Sequence, residues 1–242
     1  MDKDLEFLRD ANDEMFAVFV ETMIEKGGFS EFITLSEEYK KYGKDYKKYI
    51  GTIIEEFLAY GSNTFLNIFG NYNSYKKILC DVAEKLKVNF NEKQSVENIE
   101  EKVLEKVLEK AIEEMSPQER AELDGLAKQA KSNYGSINVG AEASFIFINI
   151  FRAGGFASYK LTVIIVNAIA KAILGRGLSL AGNATLTRAM SIFAGPIGLA
   201  ITAIWSLIDI AGTAYRVTIP CTILIAAMRR EQSLRQYKDF DF

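Results

Sequence analysis

The chain has 242 residues, enough to bury a substantial core as one large domain or two small ones, and its 49% hydrophobic and 25% charged composition is globular. It contains no histidine, which removes His-based triads, the usual zinc ligand sets and the commonest general base. The net charge of −3 is unevenly spread, and no clustered Lys/Arg surface of the kind that nucleic acid requires is present.

Only three prolines occur and apolar residues recur at helical spacing, so the expected fold class is all-α. The opening "MDKDLEFLRD" is acidic and amphipathic, unlike a secretory signal, so the start of the chain is expected to stay in the cytoplasm. A first helix is expected over residues 4–26, with Leu5, Leu8, Phe16, Phe19, Val20 and Met23 inward and Gly27-Gly28 as its stop. "EEYKKYGKDYKKYI" reads as a solvated helical face with half-buried rings, or alternatively as a basic-aromatic binding strip. Ile50 to Phe69 and Ser74 to Leu86 are expected to be two further helices.

"SVENIEEKVLEKVLEKAIEEMSPQER" is the clearest amphipathic segment. Val103, Val107, Leu108, Ala111, Ile112 and Met115 line one side, and Glu alternates with Lys on the other. Carboxylate pairs such as Glu55-Glu56, Glu100-Glu101 and Glu113-Glu114 therefore read as solvated. Ser116, Pro117 and Glu119 make an N-cap, a first-turn proline and a capping-box acid, so a new helix begins there. Cys80 and Cys221 lack motif spacing and read as two small buried hydrophobes in a reducing cytosol, with a disulfide between them as the alternative.

Composition changes beyond the linker-like "KSNYGSINVG" at 131–140. Residues 1–135 form an acidic amphipathic region, 136–228 an apolar one and 229–242 a charged tail. Between 145 and 228 stand Arg152, Lys160, Lys171, Arg176, Arg188 and Arg216 against a lone acid, Asp209. A membrane span needs about 20 apolar residues. The runs 161–170 and 217–228 are too short, and the uncharged run Ala189–Ile208 is interrupted by Gly195-Pro196.

At about 100° per residue, Thr202, Ser206, Asp209, Thr213 and Arg216 share one narrow helical strip. Arg176, Ser179, Asn183 and Thr187 share another, and Lys160, Asn167 and Lys171 a third. Helices apolar on most sides are surrounded by protein or lipid, and buried polar groups need one another. The expectation is a buried polar network in which Asp209 is held by one or more of Lys171, Arg176, Arg188 and Arg216. The architecture expected is a bundle with a central, very apolar C-terminal hairpin, 178–194 and 197–215, wrapped by amphipathic N-terminal helices. No catalytic, cofactor or metal motif emerges: "GLSLAGNAT" has Asn183 where a phosphate-binding loop requires lysine.

Long stretches carry a family resemblance. Chief among them are "AGGFASYKLTVIIVNAIAKAILGRGLSL" at 153–180 and "NATLTRAMSIFAGPIGLAITAIWSLIDIAGTAYRVTIP" at 183–220, with "DLEFLRD", "GSNTFLNIF", "ILCDVAEKLKVNFN" and "EKVLEKAIEEMSPQE" before them. On these the chain resembles the YaaW-like family of uncharacterised bacterial proteins. The resemblance implies a grouping with a ubiquinol–cytochrome c chaperone-like domain, and it brings no catalytic or binding residues. Three functional readings stand together. The first is a non-enzymatic factor at or near the bacterial inner membrane, chaperone-like toward a membrane surface or a membrane-protein client. The second is a pore-forming or membrane-inserting bundle, a layout that helical toxins share. The third is a small-molecule binder along the polar lines. Self-association through the apolar half is compatible with each.

Overall fold

The computed structural model describes residues 1–27, 33–61, 74–121, 148, 149, 151–179, 195–204 and 214–235. Among these residues every regular element is helical and no strand occurs, as the sequence periodicity implies. A 3-10 helix, Lys3–Asp10, leads into α1 (Asp13–Gly27), α2 (Glu37–Tyr42), a second 3-10 helix (Tyr46–Tyr49), α3 (Ile50–Tyr60) and α4 (Tyr75–Lys85). Then follow α5 (Val96–Glu113), α6 (Gly155–Leu174) and α7 (Tyr215–Arg235). Residues 117–121 and 195–204 are also helical.

Local chemistry explains the helix starts. The hydroxyls of Ser36, Ser74 and Ser95 accept the N–H groups of Tyr39, Lys77 and Asn98, three donors that a helix cannot satisfy internally. At Ser116 the capping box is complete: its N–H donates to Glu119 Oε2 at 2.8 Å, and the Glu119 N–H returns to Ser116 Oγ at 3.3 Å.

The single helix expected over 4–26 is broken. Asn12 Oδ1 accepts from the N–H groups of Glu14 and Met15 at 3.0 and 3.1 Å, which starts α1 afresh after the 3-10 helix. Leu5, Leu8, Phe16, Phe19, Val20 and Met23 are nevertheless all buried, because both pieces turn their apolar sides to one core.

Lys47 closes that break. Its ammonium donates to the carbonyls of Leu8, Arg9 and Ala11 at 2.7, 2.9 and 2.9 Å, and lies 4.9 Å from the Phe16 ring centroid. Burial pulls the Lys47 amine below its ordinary pKa, although Asp13 and Asp10 favour the charge. The rest of the tyrosine-lysine stretch is also engaged within the fold. Lys40 pairs with Glu37, Lys44 with Glu21, and Tyr46 and Tyr49 are buried.

The centre of the protein is α7. Every residue from 217 to 228 is buried, and the helix packs against α1, α6, α5, α4, α3 and the first 3-10 helix. Pro220 lies inside it, in the second turn, and brings no N–H to the helix ladder there. Alongside α7 runs α6, buried throughout 161–170. The two runs too short to span a bilayer are thus packed against each other's surroundings inside the protein. Among the described residues no helix is long and apolar enough to cross a membrane. Cys221 on α7 and Cys80 on α4 are both buried free thiols.

The apolar hairpin 178–194 and 197–215 lies largely outside the described residues, and the described core is organised by α6 and α7. One sequence expectation changes here. The stretch read as a charged tail from 229 begins as the last two turns of α7: Glu231 is 1% and Leu234 3% exposed. Residues 236–242 lie outside the described residues.

Replacing Lys47 with Met should cost about 2 kcal/mol, because three carbonyls lose one shared charged donor. The exposed Lys40→Met control should cost under about 0.5 kcal/mol. Urea unfolding of the two variants beside wild type measures both.

Candidate functional site

The described members of the polar lines of the apolar half differ in depth. Lys160 is half-buried on α6, and burial lowers its amine pKa. Asn167 is 2% exposed, and its Oδ1 accepts the Leu178 N–H at 2.9 Å, which stitches the chain after α6 back onto the helix. This return demands glycine twice. Gly175 sits at φ +66° and caps α6 through its N–H to the Lys171 carbonyl, a conformation other residues rarely adopt. A Cβ on Gly177 would stand 2.7 Å from Asn167 Oδ1 and 3.2 Å from Lys171 Cε.

Lys171, Arg176, Ser179, Thr202 and Arg216 are exposed, not buried. Helical periodicity sets the angle of these residues, but they sit at helix ends or on outward turns, where water reaches them. Arg176 donates to Glu21 on α1, the Ser179 N–H donates to Glu14 at 2.5 Å, and the Thr202 hydroxyl donates to the Gly198 carbonyl at 2.9 Å. Asn183, Thr187, Arg188, Ser206, Asp209 and Thr213 lie outside the described residues, and with them the expected pairing of Asp209.

Around Arg176 a cleft of about 320 Å³ opens between α1, residues 34–46 and the end of α6. Glu21 forms its polar wall and takes both Arg176 and Lys44. Burial pushes the Glu21 carboxyl up, but hydrogen bonds and charge from Arg176 and Lys44 outweigh it and hold the group below the ordinary carboxylate range. Tyr39, Tyr46, Ile24 and Leu174 supply rings and apolar surface. Burial, then the charge of Glu21, raises the Tyr46 phenol. Among the described residues no group of Cys, Asp and Glu side chains is placed to hold a metal ion.

The strongest polar constellation lies elsewhere, between α5 and the end of α7. Glu97, Glu100, Glu101 and Glu105 share a face of α5, and three arginines meet them. Arg229 Nε donates to Glu100 Oε2 at 2.5 Å, and the Tyr75 hydroxyl of α4 donates to Glu100 Oε1 at 2.6 Å. Arg229 also donates to the Asp4 carbonyl, stacks 3.9 Å from the Phe7 ring centroid and stands 3.9 Å from Glu97. Arg230 meets Glu101 at 3.2 Å, Ser158 Oγ at 3.1 Å and the Phe151 carbonyl. Arg152 holds Glu105 in a two-bond fork of 2.6 and 2.8 Å.

Glu100 is 2% and Glu105 6% exposed, so Glu100-Glu101 is not the solvated pair that the Glu-Lys alternation implies. Burial pushes the Glu100 carboxyl up to about 7, against the opposing pull of Arg229 and the Tyr75 hydroxyl. The sequence does hold one signal of this site, an Arg229-Arg230 pair directly after an apolar run. Nothing local names its partners, which lie 129 residues away.

Removing Arg229 would strand Glu100 in the core. Arg229→Met should therefore cost about 3–5 kcal/mol, while Arg176→Met, which breaks a half-exposed pair, should cost under about 1 kcal/mol. Guanidinium melts of both variants distinguish the two sites.

Over 234 residues the chain is 46% identical to a UPF0174 protein of Helicobacter pylori strain J99, covering 94% of this chain and 91% of that protein. A second UPF0174 protein of the same strain is 39% identical over 205 residues, covering 84% and 98%. UPF0174 protein YaaW of Escherichia coli K12 is 28% identical over 246 residues, covering 97% of each. No family model and no solved structure matches the chain. With 46% identity across almost its whole length, the chain belongs to the UPF0174 family, the family of YaaW.

Proposed function

We propose that the protein is a non-enzymatic helical factor that works at or near the bacterial inner membrane, chaperone-like toward a membrane-protein client. One observation carries the reading. The helical segment 195–204 buries Pro196, Ile197, Ala200, Ile201 and Ile204, and turns Gly195, Leu199 and Thr202 outward. Leu199 is 53% exposed, and the run Ala189–Ile208 contains no charged residue.

The contrast with α5 is instructive. The exposed positions of α5 include Glu97, Glu109 and Glu113, the charged surface expected of a helix that meets only water. A face of glycine, leucine and threonine costs little to dehydrate, so it suits contact with an apolar client or the headgroup boundary. The absence of histidine throughout the chain, and the engagement of Glu100 and Glu105 by Arg229 and Arg152, favour a binding role over a catalytic one.

Fractionation of cells with a carbonate wash tests the proposal. The protein should sediment with membranes and pass into the wash, and Leu199→Glu should lower the sedimented share severalfold. An entirely unsedimented wild-type protein would refute it. Retention after carbonate, with dye release from liposomes, would favour the membrane-inserting reading instead.

A further inference from the structure

We propose that Glu100, Tyr75 and Arg229 form a proton-sensitive latch that fastens the N-terminal segment and the end of α7 to α5, gripping hardest in mild acid and loosening as the solution rises to neutral pH. This inference is independent of the membrane role.

The geometry is that of a junction. The Glu100 carboxylate stands where α5, α4 and α7 converge, at 2% exposure, with one oxygen on the Tyr75 hydroxyl and the other on Arg229. Arg229 carries the connection onward to the first 3-10 helix through the Asp4 carbonyl and the Phe7 ring. Asp2 adds a second tie, accepting the Tyr75 N–H at 2.8 Å and the Asp4 N–H at 2.9 Å. A change in the charge of Glu100 is therefore felt by four elements at once.

Both charge states can be accommodated, which a latch requires. When Glu100 is ionised, Arg229 pairs with it. When it is protonated, Arg229 still has Glu97 at 3.9 Å, the Asp4 carbonyl and the Phe7 face, and Tyr75 can accept as well as donate. Other charges nearby are committed. Arg230, the next residue on α7, is taken by Glu101, Ser158 and the Phe151 carbonyl. The Glu97 carboxylate disfavours a negative charge on Glu100, and Glu100, then Asp4, disfavours one on Tyr75.

The direction follows from linkage. A carboxyl whose folded-state pKa is raised from 4.5 to about 7 binds its proton more tightly folded than unfolded. Its contribution is complete below pH 4.5 and is lost as pH rises through about 7. Histidine, the usual group for that range, is absent from this chain.

The test uses the full chain. Urea unfolding and amide exchange, corrected for intrinsic exchange rates, are followed from pH 5.5 to 8.5 in wild type, Glu100→Gln and Glu105→Gln. In wild type the opening equilibrium over residues 3–10, 97–104 and 229–235 should rise on the order of tens of fold, with a midpoint near 7. Glu100→Gln should be flat over that range, and Glu105→Gln should keep the wild-type slope. A flat wild type, or a slope that survives in Glu100→Gln, overturns the proposal. Should Glu100→Gln fail to fold, carboxyl carbon NMR of wild type decides: a Glu100 midpoint near 7 supports the latch, and one near 4.5 overturns it.

Discussion

A helix that is apolar on every side has no face to leave in water, and α7 is such a helix from Val217 to Met228. It must be enclosed, and then it must stop being apolar without breaking the enclosure. Arg229 and Arg230 come directly after Met228, still inside the packed region. Two cations at the rim of a core are tolerable only if anions and carbonyls meet them there. The acids of α5 supply the anions, and the carbonyls of Asp4 and Phe151 complete the shell. The placement of α4, α5, α6 and the N-terminal segment around α7 follows from that requirement.

The two polar regions of the protein differ in kind. At the cleft, Arg176 and Lys44 reach Glu21 from largely exposed positions, where water competes for every partner. On α5, Glu100 and Glu105 are almost fully withdrawn from water, so their hydrogen bonds govern whether their burial is tolerated at all. The outward face of 195–204 is a third case, with neither charge nor burial. That face is the one the proposed client would meet, whereas the ionic interface holds the fold together.

Much of this was legible in the residues. Helical class, the Ser116–Glu119 cap, the inward residues from Leu5 to Met23 and the two buried thiols all follow from spacing and residue chemistry. The break at Asn12 was hidden because the apolar period runs on across it. Glu100 and Glu105 were hidden for a different reason: Glu-Lys alternation satisfies a helix locally, and the competing arginines come from Arg152 and the C-terminal end. Arg229 and Arg230 looked like a tail because charge density marks a surface unless tertiary partners cancel it. In the polar lines, periodicity gave the angle of Asn167 and Arg176 alike, but depth separates them. One lies within α6 under cover, and the other lies past its end.

The claim on which the account rests is that Glu100 and Arg229 are bound to each other and not merely neighbours. A double-mutant cycle of Glu100→Gln and Arg229→Met, measured by chemical unfolding at pH 8, reads that coupling directly. The expected coupling is about 2–3 kcal/mol, since at pH 8 Arg229→Met leaves the ionised Glu100 unpaired in the core, whereas in the Glu100→Gln background it leaves no buried charge. Additive losses, with a coupling below about 0.5 kcal/mol, would contradict it.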